Sequence, residues 1–442
     1  MSQRWIVTDT LDSHHTGTAP VGKSRRSVDI FTGWWLQSFG YALAALYLLY
    51  FVILYRAGTW IVNGNGLPIY TDFANAWAAG IQALHGNAAA LYDPAELAKV
   101  HAALFGPTAF DYPYWPYPPT FFLILAPFAA MPYRWAFITW DLVTLFGCVA
   151  VVYLIVQRRP AIALALAAPF TAWNFLAAQN GFLTAALIGA ALLLLDRRPW
   201  VAGIFMGLLS YKPQFGILLP VALIASHQWR AMVSAAATII VLAGISIAAF
   251  GIGAWEAFPC QLLAQAGLSL LADPGNGWGY IQTVYGLIRS LHGAAALAWL
   301  AQGATTLGSA VIVWLVWRSS AAYPIKAATL AAAALVATPY AFAYDMAALV
   351  IPAAFLARDQ LRGDLLIGDK TLWIILFGVP LAALVTLGDN VGGPTFGGTP
   401  VGLFTAILLV GMILRRAFVR PGSFENLEIR PSRPSLSQSF RG

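Results

Sequence analysis

The chain has 442 residues, 60% of them hydrophobic and 10% charged, with a mean hydropathy of +0.71. Soluble domains carry about 25% charged residues, so an ordinary soluble globule is excluded and a polytopic membrane protein is expected. The formal charge of +7 comes from basic pairs at the ends of apolar runs, which orient a membrane protein and do not point to nucleic acid. Cys148 and Cys260 are too few for a disulfide framework or a thiolate metal site.

Residues 1–33 are polar and end near Lys23, Arg25 and Arg26, so a disordered cytoplasmic tail is expected ahead of a retained anchor, Trp34–Tyr55. A first outer loop, residues 56–119, is far longer than the roughly 2 to 8 residues that usually join helices. Two surface helices are predicted within it. Phe73–Leu84 carries Phe73, Trp77, Ile81 and Leu84 on one stripe, and Pro94–Phe105 carries Leu97, Val100 and Leu104. Asp72 opens the first, where a carboxylate either caps the helix or points into a cleft. Asp93 before Pro94 has the makings of a simple cap. The segment Tyr112–Pro119 alternates four aromatics with four prolines. It reads equally as a membrane-boundary aromatic belt or as a rigid wall for a sugar ring or lipid chain.

The run Thr120–Met131 is short and bounded by prolines, as a re-entrant or interfacial segment would be. Without it, the remaining apolar runs make about 12 crossings with both termini cytoplasmic. Arg158-Arg159, Arg197-Arg198, Arg230, Arg318 and the stretch Arg358–Lys370 then all fall inside. Asp141 lies inside the run Trp135–Val156 and is read as a structural carboxyl or a support for the site. Gln179-Asn180 tops an outer turn, where amides can bind sugar hydroxyls or satisfy the turn itself. Lys212-Pro213 breaks the apolar stretch Trp200–Ala225 into halves of about 20 Å, short of a hydrocarbon core of about 30 Å. A cation at that depth is a functional-site candidate, most naturally for phosphate, with snorkelling as the bland alternative.

Arg289, at the end of Trp278–Arg289, offers a second outer cation suited to bidentate phosphate binding. Thr338–Asp345 places Tyr344 and Asp345 at the outer end of another run. Asp345 is read as a second catalytic carboxylate or as the ion-pair partner of Lys212. The last run, Val401–Leu414, is followed by Arg415, Arg416 and Arg420 and a Pro/Ser/Arg-rich tail, 419–442, expected to be disordered and cytoplasmic.

Taken together, Thr71-Asp72-Phe73, the Leu84-His-Gly86 turn, Leu91-Tyr-Asp-Pro94, Tyr117-Pro-Pro119, Ala178-Gln-Asn180-Gly and Ala202-Gly-(x)3-Gly207-(x)4-Lys212-Pro213 resemble glycosyltransferase family 87. The resemblance covers 34 to about 416 and departs at Ala178, where a glycine is expected before the Gln. It implies an all-α GT-C type transmembrane domain over 34–418. It further implies an enzyme that moves a sugar from a polyprenyl-phosphate donor to a lipid or glycan acceptor at the outer face of a bacterial inner membrane. It makes Asp72 the catalytic base. Lys212 and Arg289 would then hold the donor phosphate, and Tyr117, Gln179, Asn180, Tyr344 and Asp345 would hold sugar or acceptor. Neither metal nor cofactor is called for. Two other classes fit the polar breaks: a flippase or transporter of a polyprenyl-linked sugar or lipid, and a non-catalytic subunit of a polysaccharide-assembly complex.

Overall fold

The computed structural model describes residues 34–69, 71–106, 115–268, 280–363, 365–387, 395–396 and 399–419. Both tails, Tyr112, Trp278 and most of the Gly-rich turn after Asp389 lie outside these residues. The architecture is helical. In chain order the helices are α1 Trp34–Arg56, α2 Asp72–Leu84, α3 Pro94–Phe105, α4 Thr120–Ala129, α5 Tyr133–Val156, α6 Pro160–Ala167, α7 Pro169–Ala177, α8 Gly181–Leu194 and α9 Pro199–Leu208. They continue as α10 Leu219–Ala225, α11 Trp229–Phe250, α12 Gly253–Leu268, α13 Val284–Ser290, α14 Ala295–Arg318, α15 Tyr323–Ala337, α16 Val350–Gln360, α17 Asp369–Leu387 and α18 Val401–Val419. The only strand pairing among the described residues is a two-residue hairpin, Thr395–Phe396 against Thr399–Pro400.

Six of these helices, α1, α5, α11, α14, α17 and α18, are long and apolar enough to cross a membrane, and a seventh span results if α6 and α7, bent by 56°, count as one. This is fewer long helices than the expected twelve crossings. The reason is that several apolar runs are broken. At about 1.5 Å per residue, the 14 residues of α8 and the 15 of α15 reach only about 21 and 22 Å. α4 has 10 residues, matching the short segment expected between the prolines.

The broken stretch around Lys212 follows the same logic. α9 tightens into a 3-10 turn over Leu209–Tyr211, Lys212 leaves the helical region, and a second 3-10 turn covers Pro213–Gly216 before α10. Proline cannot donate to the preceding turn, so the helix must end there. α9 is anchored upstream by close backbone approach. A β-carbon at Gly203 would lie 2.4 Å from the Ala231 carbonyl oxygen, and one at Gly207 would lie 2.5 Å from the Thr238 side chain. The two glycines of the sequence motif therefore seat α9 on α11, as small residues do between membrane helices.

α15 is the central strut, buried along nearly its whole length and in contact with α14, α16 and α18. At the end where Arg358 and Arg415 lie, Arg416 Nε meets Asp359 Oδ2 at 2.6 Å and Gln360 donates to Asp369 at 3.0 Å. This buried polar lock ties α16 to α17 and α18.

Both loop helices form where their patterns place them, but α2 uses a different face. Its buried residues are Phe73, Ala74, Ala78, Ala79, Gly80 and Ala83, whereas Leu84 is exposed. Small residues win because α2 packs directly on α4: a β-carbon at Gly80 would lie 2.7 Å from that of Ala129. On α3 Leu97 is buried beside His101, and Asp93 accepts from the Ala95 N–H at 2.8 Å with Pro94 in the first turn, a simple cap.

Candidate active site

Asp72 is the first residue of α2, and Thr71 stands at the N-cap without a side-chain cap bond. Capping is thus not what Asp72 does. Its helix is fixed on both sides. Phe73 lies among the rings of Tyr133, Phe137 and Trp140 at 5.6–6.2 Å, and the Thr71 hydroxyl meets the Tyr133 hydroxyl at 3.2 Å. The half-buried Asp72 carboxyl has the Gln179 side chain as a polar neighbour that favours its ionised form.

Gln179 sits in a tight turn between α7 and α8. Ala178 before it has φ 47° and ψ 43°, the left-handed region. That region costs a residue with a β-carbon about 1–2 kcal/mol, which explains why a glycine is expected there. The turn is held nonetheless. Asn174, fully buried, donates from Nδ2 to the Gln179 carbonyl at 3.0 Å and accepts from the Gly181 N–H at 2.9 Å. Gly181 admits no side chain, since a β-carbon there would lie 2.2 Å from the Tyr344 carbonyl oxygen. The turn and the Asp345 segment are therefore in backbone contact.

Tyr117 and Asn180 complete this layer. Asn180 Nδ2 donates to the Tyr117 hydroxyl at 2.8 Å, which in turn donates to Gln179 Oε1 at 3.4 Å. Behind them Tyr211 and Thr184 share a 2.6 Å hydrogen bond, and both hydroxyls lie within 3.3 Å of the Asn180 carbonyl, which accepts from whichever of them is not donating to the other. The ring of Tyr117 packs on Phe121 at 4.5 Å and on Trp115 at 5.0 Å. The described part of the aromatic-proline segment is accordingly an inner wall of the site; Trp115 is 1% exposed.

Lys212 and Asp345 form the floor. Nζ lies 2.6 Å from Oδ1, and both side chains are buried. The other carboxylate oxygen accepts from the Phe342 N–H at 3.0 Å. The segment carrying Asp345 is braced by a bridge between Ile281 and Phe342 and by the Gln282 N–H donating to the Ala341 carbonyl. Aromatic faces surround the cation: Nζ is 5.1 Å from the ring centre of Tyr344, 5.8 Å from Phe215 and 6.0 Å from Tyr117.

Burial pushes the Asp72 carboxyl above the usual carboxylate range. The Gln179 hydrogen bond and the Lys212 charge pull it back, and the Asp345 charge raises it. Burial holds the Tyr117 phenol well above its ordinary value, so its O–H remains a donor. The arrangement provides one half-buried proton acceptor within electrostatic reach of a fixed cation whose counter-charge is already supplied. Among the described residues no group of three His, Cys, Asp or Glu gathers as metal ligands would.

Of the residues singled out in the sequence, Asp72, Tyr117, Gln179, Asn180, Lys212, Tyr344 and Asp345 come together here. Arg289 is placed differently: it lies in the last turn of α13, and its Nη1 donates to the Gly293 carbonyl at 3.0 Å. Asp141 is fully buried on α5, with neither carboxyl oxygen hydrogen-bonded among the described residues, and does not enter the network. Asn174, Thr184 and Tyr211 were not anticipated. An Asn seven residues before Gly181, within an otherwise apolar run, is the one signal the sequence carries for them.

The sequence model of glycosyltransferase family 87 matches residues 115–339. The matched stretch includes Tyr117, Gln179, Asn180, Lys212 and Arg289 and leaves Asp72 and Asp345 on either side. No curated protein and no solved structure matches the chain.

Proposed function

The chain belongs to glycosyltransferase family 87, and we propose that it transfers a hexose or pentose from a polyprenyl-phosphate donor to a lipid or glycan acceptor at the outer face of a bacterial inner membrane. The observation that carries this reading is a half-buried carboxyl, Asp72, within electrostatic reach of a buried lysine, Lys212. Such a transfer needs both: a base for the acceptor and a cation for the phosphate.

In this scheme an acceptor hydroxyl attacks the anomeric carbon of the donor, and its proton passes to Asp72. The bond from that carbon to the phosphate oxygen breaks, and the electron pair leaves with the phosphate. The negative charge that develops there is stabilised by Lys212, whose fixed position costs no reorganisation during the reaction. A single displacement inverts the anomeric carbon. Arg289 stands outside the Asp72 network, so its part is at the entrance, on the phosphate or the lipid headgroup region. Tyr344 and the outer wall of Tyr117 offer faces on which a sugar ring packs.

The enclosing helices support a lipid donor. The Lys212 break lies between two short helices, α9 and α10, with exposed Ile204, Ile217 and Ile224 around it. The test is to supply the purified protein with a panel of radiolabelled polyprenyl-phosphate sugars and an extract of membrane lipids. Label should leave one carrier and appear in a lipid or glycan product; a protein that releases no label from any of them contradicts the reading.

A further inference from the structure

The catalytic reading leaves a question about Asp72: which end of the neighbouring Gln179 amide does its half-buried carboxyl face? An amide can present either its N–H2 or its oxygen, and only the N–H2 favours a carboxylate. The geometry of the turn decides between them. Gln179 Oε1 receives the Asn180 backbone N–H at 3.1 Å and the Tyr117 hydroxyl at 3.4 Å. Both acceptor sites of that oxygen are therefore filled, and Nε2 is what remains for Asp72.

The shorter of the two bonds depends on where the Asn180 N–H points, and this is fixed by one side chain. Asn174 grips the backbone on either side of Asn180, donating to the Gln179 carbonyl at 3.0 Å and accepting from the Gly181 N–H at 2.9 Å. The Gln179 N–H returns to the Asn174 carbonyl at 3.3 Å. Asn174 has no exposed surface, and its side-chain hydrogen bonds go to the turn backbone. Both ends of its amide are committed to a turn whose preceding residue, Ala178, holds a conformation its side chain disfavours.

We propose that Asn174 is a positioning residue for catalysis: by clasping the Gln179–Gly181 turn it orients the Gln179 amide to donate to Asp72, which keeps Asp72 a proton acceptor. The proposal rests on Asp72 as the base. It adds a residue that touches neither substrate nor the reacting atoms. Without the clasp, the turn relaxes toward a conformation Ala178 prefers, the Asn180 N–H swings away, and the Gln179 amide is free to rotate.

The charged groups bearing on Asp72 are Lys212 and Asp345 from the floor, and Asp72 in turn acts on the phenols of Tyr117 and Tyr344. The helices packed on α2 bring Tyr133 on α5 and His101 on α3. Burial lowers His101 to about 4, so it does not change charge near neutrality. A shift in the Asp72 titration on removing Asn174 thus reports the Gln179 contact.

The test reads Asp72 without any sugar donor. Dicyclohexylcarbodiimide modifies protonated carboxyls, so labelling of the Asp72 peptide, followed by mass spectrometry on the full-length protein in lipid nanodiscs, falls as pH rises through its titration. Asn174→Leu should raise the labelling midpoint by about one pH unit, the effect of losing one hydrogen bond to a charged group. Gln179→Met should raise it equally, and the double variant should go no further. Asn174→Ser supplies the same reading should the leucine variant fail to fold. A lowered melting temperature with an unmoved midpoint, or additive shifts in the double variant, would overturn the proposal. Turnover retained in Asp72→Asn would instead remove the base reading while leaving the titration result standing, so the two failures are distinguishable.

Discussion

Lys212 Nζ and Asp345 Oδ1 lie 2.6 Å apart with both side chains buried, although 133 residues separate them in the chain. The pair joins the broken α9–α10 stretch to the segment after α15, and it places within electrostatic reach of Asp72 a buried cation that would be costly if isolated. Breaking such a pair by removing one partner leaves the other uncompensated.

Single variants at the two positions should therefore differ from the double. Asp345→Leu strands a buried ammonium and Lys212→Met a buried carboxylate, each costing about 3–5 kcal/mol. Lys212→Met/Asp345→Leu should recover most of that stability, because an apolar pair of similar volume suits the site. Urea or thermal denaturation of the three proteins checks this. The double variant should fold and yet fail to bind donor, which separates the stability role of the pair from its charge.

The Asp72 carboxyl gives stability and activity opposite signs. Its folded value is raised by burial, so its contribution to stability is full below the ordinary carboxylate range and is lost as pH rises through the raised value. At neutral pH the ionised carboxylate opposes folding. Asp72→Asn should accordingly match or exceed the native melting temperature at pH 7 and lose that advantage near pH 4. A helix cap would predict the reverse, a loss of about 1 kcal/mol. Turnover should fall on the acid side at a pH above the usual carboxylate range.

Ala178 stands in the left-handed region at φ 47°. Ala178→Gly removes the clash of its β-carbon and should stabilise the protein by roughly 1 kcal/mol despite the extra freedom glycine has when unfolded. Activity should be unchanged, since the turn already has its native shape. A destabilised Ala178→Gly protein would show that the turn is not strained.

The orientation proposed for the membrane places Asn87 outside and Ser320 inside. Both positions are exposed. A cysteine at Asn87 should react with a membrane-impermeant maleimide in intact cells, and one at Ser320 only after permeabilisation.

Much of this site was legible in the sequence because membranes penalise polar groups. Lys212, Asp345 and Gln179-Asn180 interrupt apolar runs, and a buried charge needs a partner, so the Lys212–Asp345 pairing is one of two readings the chain itself offers. The loop helices followed from their caps and periodicity. What pattern could not give was the face α2 buries, because Ala79, Gly80 and Ala83 carry little hydrophobic signal and matter only once α4 lies against them. Arg289 looked equivalent to Lys212 as an outer cation, and only the folded chain shows it bonded to Gly293 at its own helix end. Asn174 acts through backbone groups, which no spacing of side chains reveals. Apolar composition alone does not distinguish a full span from two short helices, and six of the described helices are long enough to cross by themselves.

The measurement that bears most directly on the central claim is turnover of a polyprenyl-phosphate sugar by Asp72→Asn, with donor affinity determined on the same folded protein. If Asp72 takes the acceptor proton, turnover falls by roughly two to four orders of magnitude while donor affinity stays nearly constant, because the amide keeps the size of the carboxyl and cannot accept a proton. Near-normal turnover in a folded Asp72→Asn protein would contradict the account.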